Sequence, residues 1–273
     1  MKNKLKKLSF LLKPLYFIRK VCLITGYFFW FTIGILAISL IIILNTLPDI
    51  DSMKFEDFKS LAQKKVIHKI NVKKPNHSWV SIDNINRGLL WSVVISEDST
   101  FFKHNGINFD AMYNAFADNL KRKKIVYGAS TITQQVAKNI FLTSDKNYIR
   151  KIKEYFLTKS IEKRFSKNQI LEVYLNIAEF GPNIYGVHKS SAYYFKKKPK
   201  NINAAEGCFM ALFLPSPRKY HHSIYNNRYI GKSHRRKMRR ILRDMSFMDL
   251  ISPVQYKQFV NYKYFKDTSD NPF

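Results

Sequence analysis

The stretch "ISEDSTFFKHNG", residues 95–106, places two neighbouring carboxylates, Glu97 and Asp98, directly after an apolar run that begins at Trp91. The surrounding chain is strongly basic, with 47 lysines and arginines against 19 aspartates and glutamates. A carboxylate beside apolar groups has a raised pKa, because burial disfavours its charged form. The stretch therefore predicts either a general base poised near neutral pH or a helix cap with a surface acidic pair.

An uncharged segment at residues 21–48 is long enough to cross a hydrocarbon layer about 30 Å thick. It ends in Asn-Thr-Leu-Pro, which differs from the small residues of a signal-peptide cleavage site, so we predict an uncleaved transmembrane helix. Residues 1–20 hold seven lysines and arginines and no acid, whereas Asp49 and Asp51 follow the segment. The positive-inside bias predicts a cytoplasmic basic tail at residues 1–20 and an exported remainder.

The exported part is predicted to be mainly α-helical. Residues 49–85 are interpreted as a stem or linker with a short strand at 66–72, residues 86–250 as the globular domain, and residues 251–273 as a C-terminal tail. Apolar residues at helical spacing predict helices over residues 109–120, 131–141, 148–165 and 203–215, and a strongly basic helix over 233–245.

Two helices of the globular domain carry more specific expectations. The helix at 148–165 is expected to bury one apolar face, formed by Ile149, Ile152, Phe156 and Phe165. Ser166 is expected to cap the helix that follows it. The two cysteines, Cys22 and Cys208, lie in the transmembrane segment and in a distant apolar stretch, so no disulfide is predicted and Cys208 is expected to be buried.

A second polar motif, "YGASTITQQVAKN" at residues 127–139, combines a glycine, hydroxyls, amides and a lysine at a helix N-terminus. Such a set suits a phosphate or diphosphate, although an ordinary capped polar helix has the same composition. The motif lacks the Gly-Lys-Ser/Thr order of a Walker A loop.

A third motif, "DKNYIRKIKE" at residues 145–154, surrounds Glu154 with four basic residues. Arg150 lies one helical turn before Glu154, so the two side chains share a face. The motif is either an anion clamp with an acid that positions a cation, or a solvated helix face with one ion pair.

Five blocks in this order resemble the monofunctional members of peptidoglycan glycosyltransferase family 51. They are "EDSTFFKHNG", "GASTITQQVAKN", "RKIKE", "KNQILEVYLNIAEFG" with "GVHKSSAYYF", and "ALFLPSPRKY", and they span about residues 90–220. The resemblance implies a lysozyme-like, two-lobed, mainly α domain behind one N-terminal transmembrane helix. It also implies the substrate lipid II, a disaccharide-peptide on undecaprenyl diphosphate, and the growing glycan chain.

The resemblance assigns roles to the polar motifs. Glu97 matches the catalytic base that accepts the proton of the acceptor sugar hydroxyl. Glu154 matches a second catalytic glutamate near the diphosphate, with a divalent cation, Mg²⁺ or Mn²⁺, as the one expected cofactor. The residues that match the donor-site lining are Ser130, Gln134, Gln135, Lys138, Lys146, Arg150 and Lys151.

The same resemblance implies a place and partners for the chain: the bacterial inner membrane, with the catalytic domain on the periplasmic side. Membrane lipids and proteins of cell division or cell-wall synthesis are the expected partners, and no nucleic acid is expected. The basic helix at 233–245 is interpreted either as lying against anionic headgroups or as a solvated face. Asn108 replaces an aspartate and Lys146 an arginine that are usual in the family.

Two other functions are open from the sequence. A lytic enzyme that cleaves peptidoglycan glycan also needs one glutamate on a similar fold. A membrane-tethered binder of nucleic acid or anionic glycan would account for the net charge of +28. The ordered polar motifs disfavour the binder, and the basic groups of the second and third motifs disfavour the lytic enzyme, whose leaving group carries no diphosphate.

Overall fold

The computed structural model describes residues 2–70, 78–122, 130–143 and 147–265. The chain divides into two compact units, Met1–Pro48 and Asp49–Phe273. The first unit is one helix, α1 (Lys2–Asn45), in which Arg19–Asn45 is an apolar span of 27 residues with a mean hydropathy of 2.5. The predicted membrane-spanning segment is thus a helix of sufficient length and apolarity, and its orientation remains a prediction.

The second unit is mainly α, as predicted. Its described residues form α2 (Phe55–Ile70), α3 (Arg87–Glu97), α4 (Phe109–Lys121), α5 (Ile132–Phe141), α6 (Tyr148–Arg164), α7 (Lys167–Ile177), α8 (Gly186–Phe195), α9 (Ala204–Ala211), α10 (Pro217–Tyr220), α11 (Lys232–Phe247) and α12 (Pro253–Val260). One antiparallel hairpin of β1 (Glu179–Gly181) and β2 (Ile184–Tyr185) lies between α7 and α8. Ser166 caps α7 through a reciprocal capping box with Gln169, as the sequence predicts.

The helices α3 and α9 touch through their backbones. A Cβ on Gly88 would lie 2.9 Å from the backbone nitrogen of Ala204, and a Cβ on Gly207 would lie 2.7 Å from the Cα of Leu89. Neither helix has room for a side chain at these points, so the two glycines set the distance between the helix axes. Glu97 is the last residue of α3, and its position follows from this contact.

The basic helix α11 closes the core beside α3 and α9. It buries Met238, Ile241, Leu242 and Met245 in a cluster that also contains Ile95 of α3. The apolar face of this segment is thus part of the core, and whether its charged face lies against headgroups or is solvated stays a prediction. Helix amphipathicity explains the outcome, because the apolar residues recur at positions three and four apart between the arginines.

The described parts of the predicted stem, residues 49–70 and 78–85, belong to the same compact unit as the globular domain. The predicted strand at 66–72 is wrong for residues 66–70, which belong to α2, and residues 71–77 lie outside the described part. In α2, Phe58, Ala62 and Val66 are buried, and the Phe58 ring stacks on Phe165 with centroids 4.5 Å apart. The helical spacing of these apolar residues outweighs the β-branched residues that suggested a strand.

Two further expectations, about the buried face of α6 and about the C-terminal tail, are corrected. In α6, Ile149 and Ile152 are 54% and 40% exposed, while Glu154 and Leu157 are buried, because α6 packs on α5 and α7 through the face that carries the acid. At the C-terminus, α12 and Phe265 pack against the cluster of α9 and α11, so residues 251–265 are part of the fold. Cys208 is buried as expected, and both cysteines are free thiols.

We expect Gly207→Ala to destabilise the protein by about 1–3 kcal/mol, because its methyl group would overlap the backbone of α3. Gly231→Ser is the matched control, since the nearest atom to its new Cβ is 3.7 Å away. That variant should stay within about 0.5 kcal/mol of the wild type. Chemical or thermal unfolding of the detergent-solubilised chain measures both, and equal losses in the two variants would contradict the contact.

Candidate active site

The segment after α3 is bound to the start of α5 by the carboxylate of Asp98. This carboxylate accepts hydrogen bonds from the backbone N–H of Ile132 at 3.0 Å and from His104 Nε2 at 3.0 Å. His104 Nδ1 accepts from the backbone N–H of Gly106 at 3.1 Å, so the imidazole carries its proton on Nε2. Asp98 therefore joins three parts of the chain, and its carboxylate is fully engaged.

Gly106 is required where the segment turns towards α5. Its φ is +84°, a conformation that side chains disfavour, and an added Cβ would lie 2.7 Å from the side chain of Glu162. Its carbonyl accepts from Thr131 Oγ1 at 2.6 Å, and Thr131 begins the capping box of α5. The segment thereby brings the end of α3 next to the N-terminus of α5.

Asn108, which departs from the family pattern, acts as the N-cap of α4. Its side-chain oxygen accepts from the backbone N–H of Ala111 at 2.8 Å, and its amide donates to Thr100 Oγ1 at 2.6 Å. An asparagine caps a helix about as well as an aspartate. The substitution therefore keeps the local fold without the carboxylate charge.

Glu97 is half-buried and has few partners. Its carboxylate accepts from Gln135 Nε2 at 3.3 Å and from Ser96 Oγ at 3.3 Å. Burial raises the pKa of Glu97 above its usual value of 4.5, and the neighbouring charge of Lys237 opposes this rise without cancelling it. This is the environment of a general base, because the carboxylate gains from taking up a proton.

Glu97 lines a cavity of about 210 Å³ at this junction. Polar groups from four elements share the cavity wall, including Ser96, Asn108, Ser130, Thr131 and Arg240. A polar cavity with a perturbed carboxylate in its wall is a candidate active site.

A group of cations surrounds Glu154 on α6. Glu154 is 2% exposed and accepts hydrogen bonds from Arg150 at 3.0 Å and from Lys151. The pKa of Lys138 is lowered, chiefly by partial burial and further by Arg150 and Lys151, while Glu154 and Glu97 act in the opposite direction. Lys138 on α5 is therefore close enough to both glutamates for their charges to act on it.

The cation group has spare hydrogen-bonding capacity. Arg150 Nε is buried and has no hydrogen-bond partner among the described residues. Buried donors of this kind are normally satisfied in proteins, so an acceptor from a ligand or a water belongs there. The guanidinium fork suits the oxygens of a phosphate.

The surroundings of Glu154 offer few protein ligands to a metal ion. Both of its oxygens are engaged by Arg150 and Lys151. Across the described ranges no group of three or more histidine, cysteine, aspartate and glutamate side chains lies close enough to hold a metal. The expected divalent cation therefore remains a prediction.

The structure places most of the predicted site residues in two neighbouring groups. Ser130 and Gln135 lie with Glu97, whereas Lys138, Arg150 and Lys151 lie around Glu154. Lys146 lies outside the described residues. Gln134 is the exception, because it is 3% exposed and its side chain accepts from the backbone N–H of Thr131 at 3.0 Å to complete the helix cap.

Two basic residues of the site were missed by the sequence analysis. Lys237 is partly buried with its charge acting on Glu97, and Arg240 lines the cavity. Both belong to α11, about 140 residues further along the chain. The available signal was their position beside the apolar stripe of α11, which indicates that they border the core.

Comparison with known proteins points to one family. A family model described as Transglycosylase matches residues 63–246. Proteins named biosynthetic peptidoglycan transglycosylase are similar: that of Haemophilus influenzae is 46% identical over 141 residues, which are 52% of this chain and 57% of the relative. That of Bdellovibrio bacteriovorus is 42% identical over 159 residues, 58% of this chain and 62% of the relative. The matches thus span about three fifths of these relatives.

We expect Glu97→Gln to be more stable than the wild type at neutral pH, because it removes a charge that burial disfavours. The folded chain holds the Glu97 proton more tightly than the unfolded chain, since the folded pKa lies above 4.5. The wild type therefore loses stability relative to the variant as the pH rises from 4.5 through the folded pKa, and the difference is constant above it.

Thermal unfolding of both proteins from pH 4 to pH 8 tests this expectation. Glu56→Gln is the matched control, because that side chain is 79% exposed and should show no comparable gain. A difference between wild type and Glu97→Gln that does not change with pH would contradict the burial of this charge.

Proposed function

Because the chain belongs to the transglycosylase family, we propose that it polymerises lipid II into β-1,4-linked glycan strands and releases undecaprenyl diphosphate. One observation carries the proposal: α5 bears both Gln135, which donates to the carboxylate of Glu97, and Lys138, on which the charges of Glu97 and of the Arg150–Lys151–Glu154 group all act. A transfer from a diphosphate donor needs both a base for the acceptor and positive charge for the leaving group.

Glu97 is the base in this proposal. Its carboxylate accepts the proton of the 4-hydroxyl of the acceptor sugar, and the oxygen of that hydroxyl attacks the anomeric carbon of the growing chain. The bond between this carbon and the diphosphate oxygen breaks with inversion, and the electron pair stays on the diphosphate. A carboxylate with a raised pKa favours this step, because its affinity for the proton is greater than that of an exposed glutamate.

Lys138, Arg150 and Lys151 stabilise the departing diphosphate. Negative charge accumulates on the leaving oxygens as the bond breaks, and cations already in place lower the energy of that state. Glu154 holds the side chains of Arg150 and Lys151 through two ion pairs. The unpartnered Arg150 Nε supplies a donor that a phosphate oxygen would satisfy.

A lipid-borne substrate requires a catalyst at the membrane. The apolar face of α4 supports this, because Phe109, Phe116 and Leu120 are 65–68% exposed and α4 buries none of its residues. Exposed apolar patches of this kind mark interaction or membrane surfaces. We assign α1 as a single-pass anchor in the bacterial inner membrane, with a cytoplasmic N-terminus and a periplasmic catalytic unit.

A lytic activity is less well supported by the site. One glutamate on a similar fold is enough for lysis, but the leaving group of that reaction is a sugar hydroxyl that carries no diphosphate. The cations around Glu154 and the buried Arg150 Nε, which has no partner among the described residues, would then have no anionic ligand. Incubation with purified sacculi separates the two functions, since release of soluble muropeptides without lipid substrate would favour lysis.

Glu97→Gln should fold and lose glycan synthesis from labelled lipid II by at least about 100-fold, because the amide cannot accept the hydroxyl proton. Separation of the products by gel electrophoresis measures the loss. Glu56→Gln, at an exposed position, should retain wild-type synthesis. Full activity of Glu97→Gln would refute its assignment as the base.

Lys138→Ala should lower the rate of polymerisation by about 10- to 1,000-fold, because it removes a cation beside the leaving group. The matched control is Lys200→Ala, which removes the same charge from an exposed turn outside the cavity and should stay near the wild-type rate. Equal effects of the two substitutions would indicate that only overall charge matters.

A further inference from the structure

A buried tyrosine lies behind the candidate base, on the far side of Gln135. Tyr174 of α7 is 1% exposed, and its hydroxyl donates to Gln135 Oε1 at 3.2 Å. The other end of the same amide, Gln135 Nε2, donates to Glu97 Oε2 at 3.3 Å. The three side chains form a chain of hydrogen bonds from the core to the cavity wall.

The direction of these bonds depends on which end of the amide faces Glu97. With the NH₂ group towards Glu97, the amide stabilises the ionised carboxylate, which can only accept. With the amide rotated by half a turn, its oxygen would accept from a protonated Glu97, and its NH₂ group would donate to the oxygen of Tyr174. The two orientations of Gln135 therefore match the two protonation states of Glu97.

Tyr174 favours the first orientation. Burial raises the pKa of Tyr174 well above its ordinary value, so the hydroxyl keeps its proton and remains a donor throughout the working range of pH. The oxygen of the Gln135 amide can accept this proton, whereas its NH₂ group can only donate.

We propose that Tyr174 is a positioning residue that orients the amide of Gln135, so that the NH₂ group of the amide donates to Glu97. This hydrogen bond keeps the carboxylate of Glu97 ionised and able to take the proton of the acceptor sugar hydroxyl. The role of Tyr174 in the reaction rests on the proposed function. Its effect on the pKa of Glu97 rests only on the hydrogen bonds among Tyr174, Gln135 and Glu97. When Glu97 accepts a proton during the reaction, the hydrogen bond from Gln135 weakens. When Glu97 releases the proton, this hydrogen bond regains its strength.

Other charged groups around Glu97 are unchanged by the proposed test. They are Asp98 next in the chain, Lys138 on α5, and Lys237 and Arg240 on α11. Tyr174→Phe removes one uncharged hydroxyl and leaves all four in place. A change in the titration of Glu97 in this variant is therefore assignable to the hydrogen bonds of Gln135.

The direct test is a titration of Glu97 by NMR of the full-length chain in detergent, labelled with ¹³C at the glutamate carboxyl carbons. The chain has seven glutamates, and Glu97→Gln identifies the signal of interest. We expect Tyr174→Phe to raise the pKa of Glu97 by about half a pH unit or more. Tyr264→Phe is the matched control. It removes a hydroxyl that donates to the carbonyl oxygen of Ala205 at 3.1 Å and does not line the cavity, so it should not shift the pKa of Glu97.

A double substitution tests whether the effect passes through the amide. Gln135→Ala alone should raise the pKa of Glu97, and adding Tyr174→Phe to it should cause no further rise. An unchanged Glu97 titration in folded Tyr174→Phe would overturn the proposal, as would a full additional shift in the double variant. If Tyr174→Phe does not fold, Gln135→Ala decides alone, and an unchanged pKa in that variant overturns the proposal.

The pH profile of lipid II polymerisation is the second readout. Tyr174→Phe should lose most activity at low pH and approach the wild type as the pH rises, whereas a loss of packing alone would lower the rate equally at every pH. A wild type without polymerase activity would refute the proposed function but leave the NMR titration valid. The two failures are therefore distinguishable.

Discussion

The candidate site depends on the carboxylate of Asp98. By accepting from the N-terminus of α5 and from His104, it ties the end of α3 to the part of the polar motif that forms α5. A negative charge at a helix N-terminus is favourable, and here it also organises the connecting segment. Glu97, the residue before it, is thereby left free of strong partners beside Gln135. Adjacent carboxylates in the chain thus have opposite roles, one bound within the structure and one available for chemistry.

The two glutamates of the site are buried in different ways. Glu154 is compensated by ion pairs with Arg150 and Lys151, and in the proposed function it holds those cations in place. Glu97 receives only weak hydrogen bonds and the more distant charge of Lys237, so its ionised form is costly. In the proposed function, two groups of the same chemical type thus serve as an organiser and as a base, and their different environments account for the two roles.

The sequence was a good guide to local structure. The helix limits, the cap of α7 at Ser166 and the pairing of Arg150 with Glu154 follow from short-range rules, and the structure agrees with them. It failed where distant segments meet: Lys237 and Arg240 reach Glu97 only because α11 packs beside α3. Likewise, α6 turns its acid inwards because two cations accompany it, which no apolar periodicity reveals.

The glycine contact between α3 and α9 has a mechanical consequence. Backbones this close leave no room for α3 and α9 to approach further, so close packing fixes the separation of the helix that carries Glu97 from α9. The cavity is also lined by Asn108 and Ala111 at the start of α4, a helix with no buried residue. In the proposed polymerisation we therefore expect the cavity to widen by displacement of α4, while Glu97 keeps its position beside Gln135 of α5.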